Sequence, residues 1–264
     1  MSKALVIAAI FVGVLSPAAA ETNSPAVSLA TRPGWEAGGQ LAGYRYEEPD
    51  PGVKIWGPRI GPAGTYTYHH AGSWFLRGDA RYSYGELRYQ GSGTKDRIPD
   101  SILEGRGVFG MDFFPGGGVS LSPYAGLGYR YLYNDLRGTT STGAAGYRRY
   151  SYYLYLPLGL TSRSGIGGQW TLATTIEYDY FLRGRQASLL TDVNPGYTDA
   201  YNAQRNGRGY RLSVMVEKDR WALGPWMHYW NIEDSDSARI SQILLGIEPK
   251  NQTREAGVEV RYRF

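Results

Sequence analysis

Tyr150, Tyr152, Leu154, Leu156, Leu158 and Leu160 form an unbroken apolar series at every second position, and Ser151, Tyr153, Tyr155, Pro157 and Gly159 fill the places between. A period of two is that of an extended strand with one greasy face. The same beat runs through Trp170, Leu172, Thr174, Ile176, Tyr178 and Tyr180 against Thr171, Ala173, Thr175, Glu177 and Asp179. It returns in Tyr210, Leu212, Val214 and Val216 against Arg211, Ser213, Met215 and Glu217. Helical spacing is nowhere sustained. The runs predict ten strands, near 34–46, 60–70, 74–90, 101–114, 119–133, 147–163, 169–184, 208–218, 221–232 and 252–264.

The connections alternate in length. His70-Ala71-Gly72-Ser73, Pro115-Gly116-Gly117-Gly118, 163–168 and Lys218-Asp219-Arg220 read as tight turns, whereas 47–59, 91–100, 134–146, 185–207 and 233–251 read as long loops. With both termini on one side, every short connection falls at that end and every long one at the other. This is the layout of an all-β, up-and-down antiparallel transmembrane barrel of about ten strands, with eight or twelve as the neighbouring even counts. Several runs exceed the roughly 9–11 residues that a tilted strand needs to cross hydrocarbon, so the barrel should stand above the bilayer. Ile240 to Ile247 reads equally as a short strand or one helical turn.

Composition supports a wall wetted by lipid on one side. The chain carries 36 Gly, 23 Tyr and 7 Trp without low complexity, and its mean hydropathy is mildly polar because half of each strand is polar. Lys3, the apolar run Ala4 to Leu15 and the small residues Ala18-Ala19-Ala20 give the three-part layout of a secretory signal cleaved between Ala20 and Glu21. The expected organisation is a signal peptide at 1–20, a short periplasmic segment at 21–33 and a barrel at 34–264. Cysteine is absent, which excludes disulfides and thiol chemistry. The net charge of +4 is spread over interspersed acids and bases, which argues against a nucleic-acid partner.

The faces divide by chemistry. Tyr82 and Tyr84, Tyr129, Tyr131 and Tyr133, Tyr150 and Tyr152, and Tyr178 and Tyr180 sit at strand ends and fit aromatic girdles at headgroup depth. Fixing the register by the apolar side turns Glu36, Arg77, Asp79, Arg81, Glu104, Arg106, Asp112, Arg130, Arg149, Glu177, Asp179, Arg183, Arg211, Glu217, Glu259 and Arg261 inward, eight acids and eight arginines. In a narrow cylinder such groups should pair as a plug that braces the wall. A polar conduit for small solutes is the alternative, and narrowness favours the plug.

The chain ends Ala256-Gly257-Val258-Glu259-Val260-Arg261-Tyr262-Arg263-Phe264. Apolar residues at Val258, Val260 and Tyr262 and a terminal Phe264 resemble the C-terminal signature of bacterial outer-membrane β-barrel proteins of the porin-like or opacity-like group. That resemblance implies the outer membrane of a Gram-negative cell, recognition by the barrel assembly machinery, and outer-membrane lipid and lipopolysaccharide as partners. It implies no activity. The segments Tyr131 to Gly138 and Glu248-Pro249-Lys250-Asn251 are distinctive without an attached function.

Catalytic chemistry is thinly represented. Ten strands are also similar to the omptin proteases, which use an aspartate pair and an Asp-His pair, but the one Asp-x-Asp here is Asp234-Ser235-Asp236 and no Asp-x-His occurs. His69 and His70 adjoin a turn without a third ligand nearby. His228 lies between Trp226 and Trp230, and as a base it carries the alternative reading of a hydrolase resembling lipid A deacylases or proteases. Gly116-Gly117-Gly118 is a turn, because no helix follows to cradle phosphate. Glu233 to Asp236 reads as a solvated loop ahead of a calcium site. Arg205, Arg208 and Arg211 would meet lipopolysaccharide phosphates if all three reached the outer rim. The expectation is a non-enzymatic structural or surface barrel, or a narrow porin, with no catalytic residue, metal or cofactor.

Overall fold

The computed structural model describes residues 29–50, 52–70, 74–239 and 245–264. The expected signal peptide and its Ala20/Glu21 junction lie outside the described residues. The strands are β1 (Gly34–Glu48), β2 (Val53–His69), β3 (Trp74–Gly91), β4 (Gly93–Met111), β5 (Phe113–Gly116), β6 (Val119–Thr139), β7 (Ala145–Gly165), β8 (Thr171–Ser188), β9 (Ala200–Gln204), β10 (Gly207–Lys218), β11 (Trp221–Ile232), β12 (Ala238–Arg239), β13 (Leu245–Gly246) and β14 (Asn251–Arg263).

Ten of them, all but β5, β9, β12 and β13, pair antiparallel in sequence order, and β14 closes on β1. Closure leaves no unpaired edge in the ring, which is what a strand needs where no water can satisfy its backbone. β9 lengthens the wall beside the upper end of β8, and β12 pairs with β13 in the last outer loop.

Register fixes the shape. Following cross-strand partners from Gly34 through Thr67, Arg77, Val108 and onward to Asp179, Gly209, Trp230 and Thr253 returns to β1 at Tyr46, a stagger of twelve residues. With strands about 4.8 Å apart, that stagger tilts them by about 40° on a backbone cylinder of about 10 Å radius. So narrow a cylinder is filled by side chains.

Three expected long loops are instead strand. β1 runs to Glu48 and β2 starts at Val53, β3 and β4 meet about Ser92, and β6 and β7 are linked by 140–144. The alternation fails to reveal these extensions because the outward side chains there are polar, as in Arg45, Lys54 and Glu86. The longer outer connections, 189–206 and 233–250, carry a 3-10 turn (Leu190–Asp192), β9 and the β12–β13 pair. Within Ile240 to Ile247, Leu245–Gly246 is strand and 240–244 lie outside the described residues.

The glycine and aromatic content has a joint cause. Inward rings lie over glycines on the neighbouring strand: Tyr155 is the cross-strand partner of Gly128, and Tyr124 of Gly159. A Cβ on Gly128 or Gly159 would stand 2.2 Å from the facing ring. Each glycine therefore makes room for a ring that the cylinder could not otherwise hold.

Candidate functional site: the filled interior

Inside the barrel, charges of opposite sign form a continuous chain across strands. Arg77 Nε meets Asp79 at 3.3 Å, Asp79 meets Arg106 at 2.9 Å, and Arg106 meets Glu177 at 2.6 Å. Glu177 then meets Arg211 at 3.0 Å, Arg211 bonds Glu104, and Glu104 meets Arg81 at 2.6 Å. Arg81 holds Glu255 through both Nη atoms at 3.2 Å, and Glu255 reaches Arg130 at 2.8 Å. Asp179 adds a contact to Arg211 at 2.7 Å. Five arginines and five carboxylates are thus joined. A buried carboxylate alone costs several kcal/mol in desolvation, and only such close, hydrogen-bonded pairing offsets it. Tyr155 donates to Glu104 and Tyr124 to Glu177, each at 2.6 Å, which satisfies further lone pairs.

Above this layer two apolar clusters join the filling, beside the buried Arg59–Asp100 pair. Tyr44, Ile55, Leu87, Ile98 and Ile102 pack on one side, and Tyr153, Tyr155, Phe181, Trp230 and Ile232 on the other. Between ions and rings remains a cavity of about 100 Å³, bordered by Arg81, Glu104, Arg211, Trp226 and His228 among others. The His228 ring lies 4.6 Å from that of Trp226, and its buried Nδ1 has no hydrogen-bond partner.

Both mouths are spanned by hydrogen-bonded contacts. At the lower one, residues 29–33 cross beneath the ring to the far wall. Thr31 donates its amide and hydroxyl to Asp112 at 2.7 and 2.8 Å, Ser122 donates to the same carboxylate at 2.6 Å, and His69 Nε2 stands 3.0 Å from it. Burial alone would raise the Asp112 carboxyl, but these hydrogen bonds hold it below its ordinary value. Ser120 donates to Leu29 O at 2.7 Å, so the strap is bound at two points. At the upper mouth, Arg149 bonds both Glu48 (2.8 Å) and Glu248 of the outer loop, and Tyr46 donates to Glu48 at 2.7 Å. Burial, with the neighbouring Glu48 charge, pushes the Glu248 carboxyl up to about 7 against the pull of Arg149.

The structure brings together most residues expected inside. Arg77, Asp79, Arg81, Glu104, Arg106, Arg130, Glu177, Asp179 and Arg211 belong to the chain, Glu259 and Arg261 pair at 2.6 Å, and Arg149 sits at the upper mouth. Asp112 and Glu217 serve the strap, the latter 4.0 Å from both Arg32 and Arg163. Arg183 is a correction. A bulge places Leu154 opposite Arg183 but Tyr155 opposite Phe181, which skips Leu182 and turns Arg183 to the exposed outer face. The three-arginine reading of 203–211 also divides: Arg211 is internal, Arg205 is exposed but paired with Asp236 at 2.7 Å, and Arg208 is outward and exposed. Glu255 and Arg59 were not singled out, although Glu255 alternates in register with Glu259 and a β2 start at 60 left out Arg59, which pairs with Asp100. Val258, Val260 and Phe264 lie exposed on the outer surface and Tyr262 is half-buried between Trp221 and Phe264, while Phe264 N donates to Trp35 O at 3.0 Å. Among the described residues no group of His, Asp or Glu has the arrangement of a metal site.

No protein-family profile and no curated protein matches the chain. Solved structures do. The outer membrane protease OmpT from Escherichia coli superposes with a TM-score of 0.59 at 10% identity, covering 87% of this chain and 96% of that one. This is the fold of the bacterial outer-membrane β-barrels. Looser likenesses within that fold include Neisserial surface protein A (TM-score 0.36, 14% identity, 87% and 97% coverage) and the Pseudomonas putida toluene transporter TodX (0.38, 9%, 87% and 89%). A fold by itself says nothing of the role, which lives in the site built on it.

Proposed function

We propose that this outer-membrane barrel is a non-conducting, non-enzymatic surface protein that acts through its outer wall and its loops. One observation carries the reading: among the described residues the ion chain and the two apolar clusters fill the interior, and the space left beside His228 is about 100 Å³. Solute passage needs a continuous aqueous path, and small-molecule sites occupy about 300–1,000 Å³. A hydrolase built on His228 would need its ring oriented as a base, but the buried Nδ1 has no hydrogen-bond partner to hold it. Residence in the outer membrane, and handling by the assembly machinery through Val258, Val260, Tyr262 and Phe264, belong to the same proposal and draw on the fold and the outward apolar belt.

Conductance of the purified barrel in planar bilayers tests it. Silence over the physiological voltage range is the expected result, and steady unitary steps would overturn the reading.

A further inference from the structure

The outward face carries a row of aromatic rings that climbs the tilted wall, by about 3 Å per strand, toward its loop-bearing end. Tyr178, Tyr210 and Tyr229 are successive cross-strand partners, with ring centroids 5.4 and 6.3 Å apart. The row resumes at Trp56 on β2. Between Tyr229 and Trp56, the two positions in the same register are Arg254 on β14 and Arg45 on β1.

Directly opposed like charges on adjacent strands are unfavourable, with backbones only about 5 Å apart. Here both guanidiniums are exposed and share one carboxylate: Arg45 Nη2 reaches Glu47 at 2.6 Å and Arg254 Nη1 reaches it at 3.6 Å. Arg254 also donates to Gln252 at 3.0 Å. Lys54 is the cross-strand partner of Glu47, so three cations surround one anion. A second anion is wanted from outside the chain.

The wall below the arginines is shaped to go with it. Gly43 and Ala256, two positions nearer the membrane centre on the same face, are cross-strand partners and form a floor without side-chain bulk. Trp56 flanks this floor on one side, and Tyr229 and Met227 on the other, around an open recess of about 810 Å³. A cationic head above an apolar trough fits an amphiphile whose anion lies at the girdle and whose tail runs down the wall.

We infer that Arg45, Arg254 and Lys54 form a binding site for a phosphorylated, acylated lipid of the membrane leaflet at the loop-bearing end, its phosphate on the cations and one acyl chain over Gly43 and Ala256. The inference rests on the membrane reading above and adds a ligand class and a place. Arg183 and Arg185 on the far wall also face outward near tyrosines, but there Arg185 is already stacked on Tyr201 at 4.6 Å.

The test is native mass spectrometry of the full-length barrel after reconstitution with lipid A or with a phosphate-free glycolipid of matched acyl chains, inorganic phosphate being added in a third arm. Wild type should retain lipid A in preference to the neutral lipid, and millimolar phosphate should fail to displace it. Replacing both arginines (R45Q with R254Q) should lower retention at least about tenfold, since two membrane-surface cations are removed. K54Q alone should lower it less, and R45K with R254K should restore part of it. R205Q, an equal charge change at a cation already paired with Asp236, should change nothing. Equal retention by the double variant with a wild-type β-sheet spectrum would overturn the site, as would an equal loss in R205Q or full displacement by inorganic phosphate. A barrel that fails to enter bilayers at all would overturn the membrane reading, and the site with it.

Discussion

Arg149 on β7 meets Glu248 of the last outer loop across the upper mouth of the barrel, and the same guanidinium holds Glu48 of β1. One side chain thereby anchors a loop to two distant parts of the rim. Arg149→Gln would leave two neighbouring carboxylates buried without their cation, a loss of about 3–5 kcal/mol. The expected outcome is a lower melting temperature with new protease cleavage inside 233–250. Glu248→Gln, which keeps an acceptor for Arg149 and removes one charge, should be much milder.

The same contact sets a pH dependence. Because the Glu248 carboxyl lies at about 7 when the loop is docked and at the ordinary 4.5 when it is free, the docked form binds the extra proton. Its contribution to docking is full below about pH 4.5 and is lost as pH rises through 7. Amide exchange in 245–250 should accelerate between pH 5 and 8 beyond the intrinsic rate. In Glu248→Gln that excess should vanish.

Glu104 is the centre of the ion chain, touching Arg81, Arg211 and Tyr155. Glu104→Ala leaves two buried guanidiniums short of a partner and should cost about 3–5 kcal/mol. Glu104→Gln keeps the hydrogen bonds and should cost less. Denaturant midpoints of the refolded barrel in detergent would rank the two.

The chain's alternation showed the wall well. Its ten segments, their order and the inward set except Arg183 are readable because one face is apolar and the other charged. Two things broke the pattern for physical reasons. Toward the loop-bearing end the outer face turns polar, so β1 to β4, β6 and β7 run further than their apolar beat, and Arg59 and Glu48 drop out of view. At Leu154/Tyr155 a bulge shifts the parity of β8, which no rule of alternate positions can foresee, and Arg183 changes face. The Arg45–Arg254 juxtaposition depends on which strand closes against which, and a linear sequence carries no direct signal of that.

Gly128 and Gly159 lie beneath the rings of Tyr155 and Tyr124. A single methyl at either place has to displace a ring that also donates to a buried carboxylate, so Gly128→Ala and Gly159→Ala should each cost about 1–3 kcal/mol or more. Pairing Gly128→Ala with Tyr155→Leu should recover part of the loss, read as melting temperature in a double-mutant cycle.

Asp112 gathers Thr31, Ser122 and His69 at the lower mouth. Asp112→Ala should free the strap at a cost of about 1–3 kcal/mol for the donors left unpaired. Protease added on the lower side of oriented vesicles would then cut near residue 31. Thr31→Ala, which keeps the amide bond to Asp112, should stay resistant.

The twelve-residue stagger makes each strand a spiral. At a tilt of about 40° the 15 residues of β1 sweep about half-way round the circumference between the two mouths. A neighbouring protein resting against one flank would therefore touch β1 at only one of the two rims and other strands at the rest. Cysteine pairs meant to trap such a neighbour have to be chosen by compass bearing around the axis, because two positions on one strand can face opposite horizons.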